Sequence, residues 1–178
     1  MTEKTIEKKS VYMEERFAIR LIRPEEAAEA AEAERICFPP NEAGTREIVE
    51  ERAALAGEQF LVAADRKSGK IAGYLNGLVT DETSLRDAFF RQTGLHDPEG
   101  NNVMILSLGV LPQYRGQGLA SALMEKYAQQ ERKRVRRMLV LTCLEEKVGM
   151  YEKMGFKDQG MSESSWGGES WHEMTCML

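Results

Sequence analysis

The sequence predicts a mixed α/β (α+β) fold, with a central mixed β-sheet of about seven strands flanked by helices. Three observations lead to this fold class. The 178 residues are enough for one domain with a sizeable core and short for two. Helical and strand patterns alternate along the whole chain. No internal repeat, low-complexity block or linker divides it. One domain is therefore expected.

The first half of the chain is predicted to form one strand, two helices and a pair of strands. Residues 1–15 are expected to be a flexible lead-in to a domain that covers residues 16–178. "RFAIRLIR" (16–23) alternates as a strand does. Two helices follow: the first, over 24–38, is rich in alanine and glutamate, and the second, over 45–57, ends at Gly57. "QFLVAADRKSGKIAGYLNGLV" (59–79) then indicates two strands around a short turn.

The second half is predicted to supply the central strand and the elements after it. "SLRDAFFRQTG" is a short helix or a loop inserted before that strand. "NNVMILSLGVL" (101–111) is a continuous apolar run, typical of a strand covered on both faces. A helix over Gly118 to Arg132 follows, then the strand "RRMLVLTCL" and a short helix that ends at Gly155. "GFKDQGM" and "ESWHEMTCML" are expected to be the last two strands.

Composition excludes several classes of protein. The formal net charge of −5 argues against general nucleic-acid binding, which depends on neutralising phosphates. No stretch has the length and apolarity of a signal peptide or a membrane span. The three cysteines (Cys37, Cys143 and Cys176) are odd in number and form no CxxC pair. A disulfide framework or a zinc site is therefore not expected. The same cysteine usage predicts a cytoplasmic location.

The stretch "GVLPQYRGQGLASALM" (109–124) lies where the central strand should turn into a helix. The first N–H groups of a helix lack partners and carry the positive end of its dipole, so such a turn can bind an anion. Gly116 and Gly118 have no Cβ and would allow close approach of a phosphate, and Arg115 could add a charged contact. The stretch is neither a Walker loop nor GxGxxG. A plain tight turn is the alternative.

Two motifs together point to a family. The pattern Q-x-x-G-x-G at Gln113, Gly116 and Gly118, followed by "MYEKMGF" at 150–156, resembles the GNAT superfamily of acyl-CoA N-acyltransferases. The order and separation of the two motifs match those of the superfamily. The predicted elements also follow the order of its fold across residues 16–178. Within the superfamily, "AERICF" with Phe38, "LTC" (141–143) and "EMTCML" are similar to the arylalkylamine N-acetyltransferase branch.

The resemblance implies acetyl-CoA as co-substrate, lying beside the central strand, and no metal. Main-chain groups of Leu108, Gly109 and Val110 would pair with its pantetheine arm. The Val110 N–H would stabilise the oxyanion, and the Tyr151 phenol would protonate the departing thiolate. The turn would hold the pyrophosphate through its remaining implied contacts, which are Arg115, Gly116, Gln117, Gly118, Leu119, Ala120 and Ser121.

The sequence does not single out one residue as the general base. The two histidines that the arylalkylamine branch carries on the central strand fall at Met104 and Leu106 here, which leaves Ser107 as the polar group of that strand. Serine is a poor base unaided. The alternatives are three glutamates: Glu34, Glu42 and Glu145. His96 and His172 have no metal-ligand companion at useful spacing, so structural or surface roles are expected for both.

The resemblance implies an N-acetyltransferase that acts on the primary amine of a small molecule by direct attack, and no nucleic-acid or membrane partner is expected. A protein or peptide N-acetyltransferase is one alternative, and a non-catalytic acyl-CoA-binding module is another. A pocket closed by the loop around Phe38 and by the inserted segment would favour small amines, whereas an open groove would favour peptides. A homodimer is left open.

Overall fold

Seven strands form one sheet in the computed structural model, which describes residues 11–178. Residues 1–10 of the expected lead-in lie outside the described part, and residues 11–16 form a helical segment, α1. The strands are β1 Phe17–Leu21, β2 Phe60–Asp65, β3 Ile71–Thr80, β4 Asn102–Val110, β5 Met138–Cys143, β6 Lys157–Met161 and β7 His172–Met177. The other helices are α2 Ala27–Cys37, α3 Arg46–Leu55, α4 Ala88–Arg91, α5 Leu119–Lys133 and α6 Val148–Glu152. The mixed α/β fold predicted from the sequence is confirmed.

The strand order is β1-β2-β3-β4-β5-β7-β6, and only β4 and β5 run parallel. The other neighbours pair antiparallel. The crossover between β4 and β5 is α5, which has the length a parallel connection needs. The residues of α5 that are buried recur at helical spacing: Leu119, Leu123, Met124, Tyr127, Ala128 and Glu131. This apolar face packs α5 on one side of the sheet.

The opposite side of the sheet is covered by α2 and α3. The inward residues of α2 are small, since Ala30, Ala31 and Ala33 are all buried, and small side chains let the helix lie close to the strands. They pack with Phe60 and Tyr74 of the sheet. Both faces of β4 are thereby covered, as its continuous apolar run predicts.

The parallel pair β4–β5 separates along its length. The two strands pair only at Asn102–Met138, Val103–Leu139 and Met104–Val140, although β4 continues to Val110 and β5 to Cys143. A register shift in the β3–β4 ladder, where the partners jump from Ser107 to Ile105, leaves Leu106 unpaired. Such a bulge bends a strand. An opening between β4 and β5 results.

No helix within residues 11–178 has both the length and the apolarity needed to cross a membrane.

Candidate active site

A cleft occupies the opening between β4 and β5. It encloses about 480 Å³, part of which is open to solvent. Its walls come from β4, β5, α2, the segments that follow α2 and β3, α6 and the β6–β7 loop. The lining residues are Glu34, Phe38, Glu42, Phe90, Ile105, Leu106, Ser107, Leu108, Leu141, Thr142, Tyr151, Trp166 and Trp171.

The main chain of β4 offers hydrogen-bonding groups to this cleft. Leu111 N donates to Ala72 O at 2.9 Å, so the groups of Leu111 point toward β3. Because these groups alternate sides along an antiparallel strand, those of Val110 and Leu108 point away from β3 and into the opening. Gly109 faces β3 opposite Tyr74, and a Cβ there would lie 2.6 Å from the Tyr74 ring. Gly109 is therefore needed to seat that ring.

The glycine-rich turn after β4 has the geometry of an anion site. Gly116 and Gly118 have φ of 73° and 87°, the left-handed region that favours glycine. Gly118 caps α5, and its carbonyl oxygen accepts from Ala122 N at 3.1 Å, the first backbone hydrogen bond of this helix. The backbone N–H groups of residues 116–121 donate to no backbone acceptor in the described part of the chain. These donors lie at the positive end of a 15-residue helix.

Two side chains of the turn already have partners. Arg115 Nε donates to Val110 O at 2.9 Å, which places the guanidinium at the end of β4. Gln117 Oε1 accepts from Arg16 Nη1 at 2.7 Å and from the Tyr12 hydroxyl at 3.2 Å. The helical segment α1 is thereby attached to the turn.

Tyr151, from α6, lines the cleft. Its ring packs edge-on against Phe156 at 5.8 Å between centroids, and Gly155, at φ 94°, ends the helical turn between them. Burial is the main cause that raises the pKa of the Tyr151 phenol above its usual value, and nearby Cys143 adds to it. The phenol therefore stays protonated at neutral pH, as an acid must.

A buried carboxylate also lines the cleft. Glu34 of α2 is 2 % exposed. Its Oε2 accepts from the Tyr74 hydroxyl at 2.7 Å, and its Oε1 accepts from Ser107 Oγ and Gly44 N, each at 3.0 Å. The partners come from β3, β4 and the α2–α3 loop, so residues far apart in sequence meet here.

The other candidate bases differ from Glu34. Glu42 is half-buried at the cleft rim, and burial, ahead of repulsion from Glu169 and Glu146, raises the pKa of its carboxyl. Glu145 is exposed and does not line the cleft.

The two histidines are hydrogen-bonded elsewhere. His96 accepts from Val79 N at 3.1 Å and bonds to the Glu58 carboxylate at 2.7 Å. His172 bonds to the Asp158 carboxylate at 3.1 Å. Both histidines have structural partners outside the cleft.

The outer end of the cleft is aromatic and closed by a loop contact. Phe90 of the inserted segment stacks on Trp166 of the β6–β7 loop at 4.8 Å. Trp166 Nε1 donates to Glu42 O at 2.8 Å, and Asn41 Nδ2 donates to Gly167 O at 2.9 Å. These two hydrogen bonds join the α2–α3 loop to the β6–β7 loop. Trp166 has no signal in the local sequence, because its role depends on a contact with a residue 124 positions away.

The described cysteines are not activated nucleophiles. Burial raises the pKa of the Cys143 thiol to about 11, and it also raises the pKa of Cys37 and of Cys176. Since the thiolate is the reactive form, none of these cysteines is poised to accept an acyl group. No group of three or more potential metal ligands lies within residues 11–178.

The site thus combines a sheet that splits between β4 and β5 with an amide-lined glycine turn. The Acetyltransferase (GNAT) family matches over residues 27–156, which is most of the chain. The chain therefore belongs to the GNAT family. None of the curated proteins matches it, and the arylalkylamine branch stays a prediction.

Solved structures share the fold at low sequence identity. The GphF GNAT-like decarboxylase in complex with isobutyryl-CoA is 18% identical, with a TM-score of 0.77 over 90% of this chain and 98% of that one. The NatC complex bound to Gag peptide and CoA has a matching chain that is 17% identical. Its TM-score is 0.69, and the match covers 92% of this chain and 99% of that one. A GNAT superfamily phosphinothricin acetyltransferase from Sinorhizobium meliloti, in complex with AcCoA, is 16% identical. Its TM-score is 0.65, and the match covers 91% of this chain and 88% of that one. The first is a decarboxylase, the second is bound to a peptide and the third is a phosphinothricin acetyltransferase, so the shared fold leaves the acceptor of this chain open.

Proposed function

We propose that this protein is an N-acetyltransferase that transfers the acetyl group of acetyl-CoA to the primary amine of a small molecule. The observation that carries the proposal is the closed outer end of the cleft. The loops around Asn41 and Trp166 are hydrogen-bonded to each other, and Phe90 stacks beneath them. A peptide would need these loops apart in order to cross the cleft, whereas a small amine fits within it.

The coenzyme side supports the same proposal. The main-chain groups of Leu108 and the N–H of Val110 face the opening and would pair with the pantetheine arm as an added strand does. The amides of residues 116–121 would surround the pyrophosphate, where their dipoles favour negative charge. The Val110 N–H faces the opening, as a donor to the oxyanion must.

The charge of the cleft favours a cationic acceptor. Glu34 and Glu42 line it, and no lysine or arginine is among its lining residues. Two carboxylates in a partly desolvated cleft attract an ammonium group, and the aromatic walls accommodate an apolar body. The same charge disfavours a decarboxylation, because an acyl group carrying the carboxylate to be lost would meet Glu34 and Glu42 without a cation to pair it.

In this proposal, the neutral amine attacks the thioester carbon directly, because the cysteines offer no thiolate for an acyl-enzyme. The Val110 N–H stabilises the oxyanion of the tetrahedral intermediate. Tyr151, which lines the cleft, protonates the thiolate as the C–S bond breaks.

The test combines calorimetric titration with acetyl-CoA and a thiol-release assay on a panel of acceptors. The panel contains aryl- and alkylamines, polyamines, and peptides with a free N-terminus or a lysine. We expect micromolar-range binding, on the order of typical substrate affinities, and thiol release with small amines only. Release with peptides only would favour the peptide alternative. Binding without release would indicate an acyl-CoA-binding module, and no binding would remove the proposal.

The loop contact makes a separate prediction for the acceptor. Trp166→Phe keeps a ring against Phe90 and deletes the donor to Glu42 O. We expect the KM for the amine to rise about three- to tenfold, the worth of one such hydrogen bond, with coenzyme affinity unchanged. Asn41→Ala removes the other bond and should act in the same direction. Unchanged KM values in the double variant would show that loop closure does not select the acceptor.

A further inference from the structure

We propose that Glu34 is the proton acceptor of the reaction and that the Ser107 hydroxyl carries the proton of the amine to it. This inference rests on the proposed function, for which it supplies the general base. The structure brings one of the three candidate glutamates into contact with the one polar side chain in the opened part of β4.

The position of Glu34 suits a base that is held in place. Three donors fix its carboxylate: the Tyr74 hydroxyl, Ser107 Oγ and Gly44 N. An ionised carboxylate can accept about four hydrogen bonds, so capacity remains for a proton. Gly109 contributes indirectly, because its lack of a side chain admits the Tyr74 ring. Glu34 is thus oriented from β3, β4 and the α2–α3 loop.

Ser107 stands between this carboxylate and the cleft. It follows the bulge residue Leu106 on β4, and it lines the cleft although it is only 4 % exposed. Its hydroxyl hydrogen points to Glu34 Oε1, so the oxygen lone pairs are free to accept an N–H from an ammonium group. Serine becomes a competent relay because a carboxylate receives the proton it passes on.

Three other charged or titratable groups face Glu34, and they come from α3, β3 and α2. Arg52 of α3 is 2 % exposed, and its Nη2 donates to Phe90 O at 2.9 Å. Its charge interacts favourably with Glu34. Tyr74 on β3 and Cys37 on α2 also face Glu34. Burial raises the pKa of the Tyr74 phenol and, to a smaller degree, that of the Cys37 thiol, so both remain neutral.

The proposed steps balance. One ammonium proton moves to Ser107 Oγ while the serine proton moves to Glu34 Oε1. The neutral amine attacks the thioester carbon, the C–N bond forms and the C–S bond breaks. Tyr151 gives its proton to the thiolate and regains one as the new amide nitrogen loses its second proton. Glu34 releases its proton to solvent when the product leaves.

The test measures kcat/KM against pH for the parent and three variants. Glu34→Gln keeps the shape and removes the base. We expect a loss of about a hundredfold at pH 7, typical of general-base removal. The residual rate should then rise about tenfold per pH unit, because only amine already neutral in solution reacts. Ser107→Ala should show the same trend. Coenzyme affinity should stay unchanged in both.

Glu131→Gln is the matched control. Glu131 is also fully buried and hydrogen-bonded, to Arg134 at 2.8 Å, but it lies on α5 outside the cleft. It should keep the parent's pH profile. A parent-like profile in both Glu34→Gln and Ser107→Ala would overturn the relay while the proposed function stands. Absence of acetyl transfer to any amine by the parent would remove both.

Discussion

Tyr151→Phe is expected to lower turnover about a hundredfold, the usual effect of losing a general acid, while the affinity for acetyl-CoA stays unchanged. The phenol lines the cleft, and burial raises its pKa. A raised pKa means that the proton is held more tightly, so the parent should show no alkaline loss from Tyr151 below the ordinary tyrosine value of about 10. Steady-state thiol release between pH 6 and pH 10 (roughly the span that covers amine and phenol titration), with calorimetry for the coenzyme, measures both effects.

Tyr127→Phe supplies the control for this substitution. Burial likewise raises the pKa of Tyr127 well above its usual value, but that residue bonds to Gln59 at 2.6 Å inside the core and does not line the cleft. The Tyr127→Phe variant should lose free energy of unfolding, on the order of 1 kcal/mol for one buried hydrogen bond. Its turnover should match the parent's at a temperature where the variant is folded. Unchanged turnover in Tyr151→Phe would exclude Tyr151 as the acid.

Gly116→Ala should weaken acetyl-CoA binding about tenfold or more, the loss expected when close contacts to a charged group are hindered. Its Cβ would project into open space, with no atom of the protein within 4 Å. In the complex that space would be next to the pyrophosphate. The substitution also strains the backbone, since φ is 73°, at a cost of about 1 kcal/mol.

Gly69→Ala separates these two effects. Gly69 lies in the β2–β3 turn with φ of 71°, and its Cβ would also meet no atom within 4 Å. Both variants should therefore lose the same free energy of unfolding, measured by denaturant titration. Only Gly116→Ala should lose coenzyme affinity. Equal coenzyme affinities in the two variants would show that the turn at Gly116 does not hold the pyrophosphate.

The fold was predictable from the sequence because its signals are local. The apolar spacing of α5, the continuous apolar run of β4 and the glycines at 116 and 118 each act within a few residues. The prediction placed the start of α5 at Gly118, which instead caps a helix that begins at Leu119. The left-handed backbone of Gly118 explains the difference, since it precedes the helical region.

The candidate site was predictable only in part. The coenzyme side is expected to depend on one turn and one strand, so the resemblance implies its residues from neighbouring positions in the sequence, and they stay a prediction. The acceptor side is assembled by contacts between distant segments. Glu34 and Ser107 are 73 residues apart, and Glu42 and Trp166 are 124 apart. Nothing in local patterning could select Glu34 over Glu42 or Glu145 as a base.

The sequence by itself determined the order of helices and strands, the glycine turn and the short helix that carries Tyr151, because backbone propensity and apolar spacing are properties of neighbouring residues. The tertiary structure alone decided where β4 and β5 separate, which glutamate is buried beside Ser107, and that the two outer loops close the cleft. Those features depend on burial and hydrogen bonding between segments that meet only when the sheet has formed.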